Sequence, residues 1–317
     1  MNVGFLTNKL TLRGCEIALY DYAHYNEVIL GNKSIIIARP FEQQEDVDLK
    51  AYDKFTTRFG EIEYYSGQKD IDGIASRLNI SHLYVIKSGE KNDNFSNNCK
   101  NLIHCVFNSS QPHGDVYSVL GKTINDLYST QHPIVPFMID LPYVEENLKK
   151  DLNIPEDAIV FGRYGGYDSF DINFVHQAIT DVVKEDRNIY FLFMNTREFF
   201  KNEKIIYLPG ESDMIFKRKF INTCDALIHA RHRGETFGLT CGEFAVCEKP
   251  VITYDLSNER EHLIILGEQA IKYNNKKDLY EILLNFRSSD YNMKNNGYKQ
   301  YTPDNVMKIF KDIYLKN

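Results

Sequence analysis

Short apolar runs alternate with longer stretches of helical periodicity along the whole chain, as βαβ units and a parallel sheet require. In the first half, residues 3–6 read as an opening strand, followed by a loop through Thr11, Arg13 and Gly14 and a helix over about 16–25. Residues 34–38, 61–65, 83–86 and 102–107 read as further strands, with a helix over 71–79. A proline-bearing stretch, 132–136 through Pro142, then interrupts the pattern, and a new strand follows at 158–161. That interruption puts a domain boundary near residue 150. The second half predicts a helix over 172–184, strands at 189–194 and 204–208, a helix over 213–222 and a strand at 226–229. A helix from near Leu239, a strand at 250–254 and helices over 277–286 and 303–315 complete it. Two successive α/β halves predict a ligand site in the cleft between them.

Composition narrows the class without naming a function. With 317 residues, 43% hydrophobic and 26% charged, the chain has core-forming material for two ordinary globular domains. A net charge of −7 argues against nucleic acid as a partner, though a small phosphate site needs only a few local donors. None of the six cysteines forms a Cys-x-x-Cys pair, so free thiols in a reducing compartment are expected. No signal-peptide pattern and no apolar run of about 18 residues is present, which predicts a cytoplasmic protein. Peripheral membrane contact is compatible with that reading.

The chemistry concentrates in residues 231–252. Glu235 and Glu243 are separated by seven residues, the first in a loop after a strand and the second about one turn into the next helix. A Glu-x-Phe-Gly loop entering a helix presents backbone N–H groups and a positive helix end, which suits a diphosphate. Gly238 lets the main chain approach a ligand closely. Carboxylates accept from sugar and ribose hydroxyls, so a ligand carrying both polyol and phosphate fits. An ordinary helix start with dipole-favoured acidic residues fits the spacing as well.

Glu235-Thr-Phe-Gly-Leu239, then Glu243 and Pro250-Val-Ile252, resembles the signature of the retaining glycosyltransferases of family 4. Those enzymes have the GT-B fold, two Rossmann-like domains facing each other across a cleft. The resemblance implies an acceptor-side domain at 1–150, a nucleotide-sugar domain at 151–300, and a final helix, 301–317, crossing back to the first. It implies that Glu243 holds the ribose, Glu235 the donor hexose, and the amides of Phe237, Gly238, Leu239 and Thr240 the phosphates and sugar. Val160-Phe-Gly-Arg163 is similar to the family strand whose arginine neutralises the diphosphate. The lysine that usually follows about five residues later is missing, and Arg231 is the candidate replacement, with Arg233 or Arg13 behind it. Gly14 sits where the family has a glycine-rich loop, with one glycine in place of the usual pair. By the same resemblance His104 is the expected active-site histidine, and His113 and Asp115, on a presumed loop-to-helix entry, are acceptor-side groups.

The reaction so implied is retaining hexosyl transfer from a nucleoside-diphosphate sugar, a co-substrate, to a glycan or other hydroxyl acceptor. No essential cofactor or metal is expected, and the Asp46-Val-Asp48 and Asp70-Ile-Asp72 triplets read as solvated surface. Two alternatives remain: a nucleotide-sugar epimerase of the same fold, and a nucleotide-sugar-binding protein without transferase activity. A dinucleotide dehydrogenase is disfavoured because no Gly-x-Gly-x-x-Gly follows the first strand.

Overall fold

The computed structural model describes residues 1–11, 13–43, 48–185 and 187–316, and these form two compact units, Met1–Met138 with Tyr301–Asn317, and Ile139–Gln300. The first unit runs β1 (Asn2–Thr7), α1 (Gly14–Val28), β2 (Lys33–Ala38), α2 (Leu49–Phe59), β3 (Glu63–Tyr64), α3 (Gln68–Arg77), β4 (Ile80–Lys87), β5 (Lys100–Cys105), β6 (Val116–Val119) and α4 (Lys122–Tyr128). Its six strands are all parallel in the order β3-β2-β1-β4-β5-β6. The β2 sequence, Lys-Ser-Ile-Ile-Ile-Ala, is buried at every position after its first, as a strand covered on both faces demands. On α1 the buried residues Ala18, Leu19, Tyr22, Ala23 and Asn26 recur at helical spacing and form one core-facing stripe.

The second unit repeats the plan. It runs β7 (Ile159–Tyr164), α5 (Asn173–Val182), β8 (Ile189–Met194), β9 (Ile205–Leu208), α6 (Met214–Thr223), β10 (Ala226–His229), β11 (Gly234–Glu235), α7 (Leu239–Val246), β12 (Val251–Tyr254), β13 (Glu259–Arg260), α8 (Glu261–Leu266), β14 (Ala270–Tyr273) and α9 (Lys276–Asn285). Its main sheet is parallel in the order β14-β12-β10-β7-β8-β9, and β11 pairs with β13 outside it. Counted along the chain, both sheets have the doubly wound order in which the first and fourth strands are neighbours. In such sheets ligands bind outside the carboxyl ends of the strands where the winding reverses, here β1 with β4 and β7 with β10. The last helix, α10 (Pro303–Phe310), belongs to the first unit, where Phe310 stacks on Tyr22 at 5.1 Å between ring centres.

Three differences from the sequence reading have causes visible in the structure. The presumed helix entry after His113 is the strand β6: Val116-Tyr-Ser-Val119 pairs with Leu102–Cys105, as β-branched and aromatic residues favour. Gly114, at φ +81°, makes the turn into that strand, and a Cβ there would lie 2.6 Å from Ile103 Cγ1. The helix α2 escaped the pattern although Asp48 caps it, accepting from the amides of Lys50 and Ala51. Residues 139–150 pack with the second unit: the Leu148 amide donates to Thr223 Oγ1 at 2.8 Å, and Asn222 donates to the carbonyls of Val144 and Glu146.

Candidate functional site

The carboxyl ends of β7 and β10 carry a charged cluster in the second unit. Arg163, next to last in β7, is only 4% exposed and lies over the Phe170 ring at 5.5 Å. Its guanidinium donates to the carbonyls of Asn195 (3.2 Å) and Gly166 (2.8 Å), to Ser169 Oγ (2.7 Å) and to Thr196 Oγ1. Burial pulls its pKa down to about 10, so it remains charged at neutral pH. Among the described residues no carboxylate lies within ion-pair distance of it. The loop after β7 is tied to the loop after β10: the Asp171 amide donates to the Ala230 carbonyl, and the His232 amide donates to Asp171 Oδ1 at 2.7 Å.

Glu235 stands at the end of β11 beside this cluster. His229 Nε2 lies 3.2 Å from Oε1, and Arg231 Nη1 donates to Oε2 at 3.0 Å. Burial pushes this carboxyl upward, but the His229 hydrogen bond and the Arg231 charge outweigh it and hold the pKa at about 2. The side chain is still 24% exposed, so an ionised, oriented acceptor faces solvent. Arg231 is thus the partner of Glu235 as well as a nearby cation. Arg233 pairs with Glu259 at 2.7 Å, and Arg13 belongs to the first unit.

Just beyond Glu235 the chain enters α7. Gly238 caps it at φ +81°, where a Cβ would crowd His262 Cβ at 3.0 Å and Tyr298 Oη at 3.1 Å, so only glycine fits. The first intrahelical bond runs from the Gly242 amide to the Gly238 carbonyl, which leaves the amides of residues 239–241 without a helical partner. No acidic residue occupies that first turn, so its partial positive charge is not offset locally. Phe237 is buried, packed edge-on against Tyr298, whose hydroxyl donates to its carbonyl. Thr240 spends its hydroxyl on the Tyr164 carbonyl at 3.3 Å, and Leu239 is half-buried.

Glu243 lies deeper than its expected ribose role suggests. Lys217 Nζ, from α6, donates to Oε1 at 2.8 Å and Tyr164 Oη to Oε2 at 2.6 Å, with both ion-pair side chains only 8% exposed. Lys217 is a buried partner of Glu243 that sequence reasoning missed. The motif directed attention to the segment after Arg163, whereas this lysine comes from a helix after two further strands. Its one signal is a lysine within the apolar stripe of α6, beside the buried Phe220 and Ile221.

The first-unit expectations divide. His104 lies in the core of that unit, fully buried among the rings of Tyr22, Tyr84, Phe137 and Tyr314, with Nδ1 2.6 Å from Tyr84 Oη. Burial holds its pKa at about 3, so it stays neutral and is a core residue, not a ligand-facing base. Asp115, at the amino end of β6, accepts from the Asn101 amide at 2.6 Å and so joins β5 to β6. His113 receives Lys87 Nζ at 3.0 Å on Nε2, while Nδ1 sits 2.7 Å from the Gln111 carbonyl; the structure does not bring it together with Asp115. Gly14 is exposed at the start of α1. Asp70 caps α3 and Asp72 holds the 96–97 loop, whereas Asp46 lies outside the described residues. Among the described residues no group of three or more His, Cys, Asp or Glu could hold a metal ion, and no helix is long and apolar enough to cross a membrane.

No family model and no curated protein sequence matches this chain. Solved structures do. A glycosyltransferase from Rickettsia africae superposes with a TM-score of 0.72 at 14% identity, over 100% of this chain and 99% of that one. HepE of Anabaena, in complex with UDP and glucose, gives 0.71 at 11% identity over 99% and 98%. A putative UDP-N-acetylglucosamine 2-epimerase from Listeria monocytogenes gives 0.58 at 12% identity over 98% and 96%. The likeness defines the fold class: two parallel-sheet α/β domains of the GT-B type.

Proposed function

We propose that this chain is a retaining glycosyltransferase that moves a hexose from a nucleoside-diphosphate sugar to a glycan or other hydroxyl acceptor. The observation that carries the reading is Glu235: an ionised, partly exposed carboxylate oriented by His229 and Arg231, beside a helix start with unpartnered amides. Glu235 accepts hydroxyls of the transferred sugar. Arg163, Arg231 and the amides following Gly238 offset the charge that develops on the departing diphosphate, without reorganising during the reaction. Glu243 accepts a ribose hydroxyl on the lone pairs left free by Lys217 and Tyr164. His113, with Lys87, contributes to the acceptor side.

The chemistry is front-face displacement. The acceptor oxygen bonds the anomeric carbon on the face from which the diphosphate leaves, and the carbon–oxygen bond to the diphosphate breaks. The leaving phosphate oxygen takes the acceptor's proton. This route asks for neither a carboxylate nucleophile nor a histidine base, in keeping with the burial of His104.

The test is a melting-temperature screen with UDP and UDP-glucose, followed by acceptor assays on the wild type and Glu235→Gln. A stabilised wild type that transfers sugar with retention, beside a folded but inactive variant, is the expected result; full activity in Glu235→Gln sinks the assignment. The Listeria neighbour favours epimerisation as a second reading, which requires conversion of a UDP-sugar with no acceptor present. The engagement of Glu243 by Lys217 favours a third, a binding protein that takes up UDP-sugar without turnover.

A further inference from the structure

Behind Glu235 runs a chain of buried polar groups drawn from three elements. His229 Nδ1, at the end of β10, lies 2.9 Å from Thr253 Oγ1 on β12, and the same hydroxyl lies 3.0 Å from His262 Nε2 on α8. Thr253 and His262 are fully buried, and the two imidazoles lie 4.8 Å apart between ring centres with their planes tilted by 56°. His262 also packs its Cβ against Gly238, the cap of α7.

We propose that Thr253 and His262 are positioning residues that hold His229 as its Nε2–H tautomer and thereby fix Glu235 as an oriented, ionised acceptor for a donor-sugar hydroxyl. The inference rests on the nucleotide-sugar reading above. A threonine hydroxyl has one proton to give, so of two imidazoles bonded to it one must accept and the other donate. If His262 Nε2–H donates to Thr253, the hydroxyl proton goes to His229 Nδ1, and His229 Nε2–H is left to donate to Glu235. The one group then unmet is His262 Nδ1, a bare acceptor with no hydrogen-bond partner among the described residues. In the reverse arrangement the His262 proton sits on Nδ1, facing the Glu235 main chain without a well-formed hydrogen bond. His229 Nε2 then turns its lone pair on the Glu235 carboxylate unless one of them takes up a further proton. A bare buried acceptor is the cheaper defect, so the first arrangement is favoured. His229 faces Glu235 and His262; His262 faces His229, Arg260 and both the carboxylate and the main chain of Glu235, and burial outweighs the Glu235 contacts and holds its pKa at about 3.

The geometry resembles the logic of a hydrolase triad, in which a third group selects the tautomer of the middle histidine. Here the middle histidine serves a carboxylate that binds, and the selecting group is a neutral threonine–histidine pair.

Two measurements on the full chain decide the matter. Long-range proton–nitrogen correlation of the imidazoles between about pH 6 and 8 should show a proton on Nε2 of both His229 and His262. A His229 with no proton on Nε2 overturns the proposal. In parallel, calorimetric titration of UDP and UDP-glucose is made into the wild type, Thr253→Val and Thr253→Ser. Thr253→Val should lose about tenfold in affinity for UDP-glucose relative to UDP, and Thr253→Ser should recover it. Unchanged affinities in Thr253→Val, or an equal loss for both ligands that serine does not restore, overturn the proposal. If neither ligand binds the wild type, the functional reading fails by itself, and the tautomers still decide the hydrogen-bond assignment.

Discussion

At the carboxyl ends of β1 and β4, Asn8 accepts from the Tyr65 hydroxyl at 2.7 Å and from Asn94 at 2.9 Å, and Lys87 donates to Asn92 and to His113. At the corresponding ends of β7 and β10 stand Arg163, His229, Arg231 and Glu235. The strand order is the same, so the winding creates an equivalent crevice in each unit. What each crevice can bind is then set by a few side chains at strand ends. In the first unit they form amide and hydroxyl contacts beside the Lys87 ammonium. In the second, fixed charges stand beside a helix start whose first amides have no helical partner, the features on which the proposed sugar-and-phosphate site rests. The fold supplies the place and the termini of its strands supply the chemistry.

The sharpest way to break this contrast is to remove its central charge. Glu235→Ala should lower sugar transfer by about a thousandfold while the melting temperature holds, whereas Asn8→Ala should leave nucleotide binding intact. Equal losses in the two variants would erase the distinction between the units.

Next in size is the buried ion pair. Lys217→Met leaves the Glu243 carboxylate uncompensated in the interior and should cost about 3–5 kcal/mol in denaturant unfolding. Adding Glu243→Gln should recover part of that loss, since an amide needs no counter-charge. A destabilisation below about 1 kcal/mol in the single variant would mean that the pair is solvated.

Each unit also hides one neutral histidine, His104 in the first and His262 in the second, each held by burial at about 3 against an ordinary 6.5. The unfolded chain takes up protons on them below about 6.5 while the folded chain does not. Stability is therefore complete above that pH and is lost as the pH falls from about 6.5 toward 3. The loss should be about 2 kcal/mol per histidine between pH 7 and 5. His104→Phe should remove the first unit's share, and a variant that loses stability on acidification as steeply as the wild type would refute this accounting. The smallest expected effect is at the first unit's crevice: Asn94→Ala, which loses one hydrogen bond to Asn8, should cost about 1 kcal/mol in chemical denaturation and leave UDP affinity unchanged.

How much of this was legible in the sequence depends on whether the signal was local. The alternation of apolar runs fixed most strands because burial on both faces leaves a continuous β-branched stretch, as in residues 35–37. The run Glu235-Thr-Phe-Gly marked the entry to α7 because a positive φ at Gly238 and an acceptor before a helix are written in adjacent residues. Where pattern and structure parted, a long-range contact had decided. Val116–Val119 became a strand only because β5 offered an open edge, and His104, which reads as a reactive histidine on an apolar strand, was closed in by rings from α1, β4 and the C-terminal segment.

The sequence by itself determined the doubly wound plan, the glutamate pair and the glycine that joins it to a helix. These rest on spacing within one element or on a turn that one residue permits. Only the tertiary structure decided what each glutamate touches. Glu235 gained His229, Arg231 and, through Thr253, His262 because β10, β11, β12 and α8 converge at one end of a sheet. Glu243, one motif away, turned inward to Lys217 from α6. A side chain's partners come from wherever the fold brings a complementary charge, and no spacing along the chain records that.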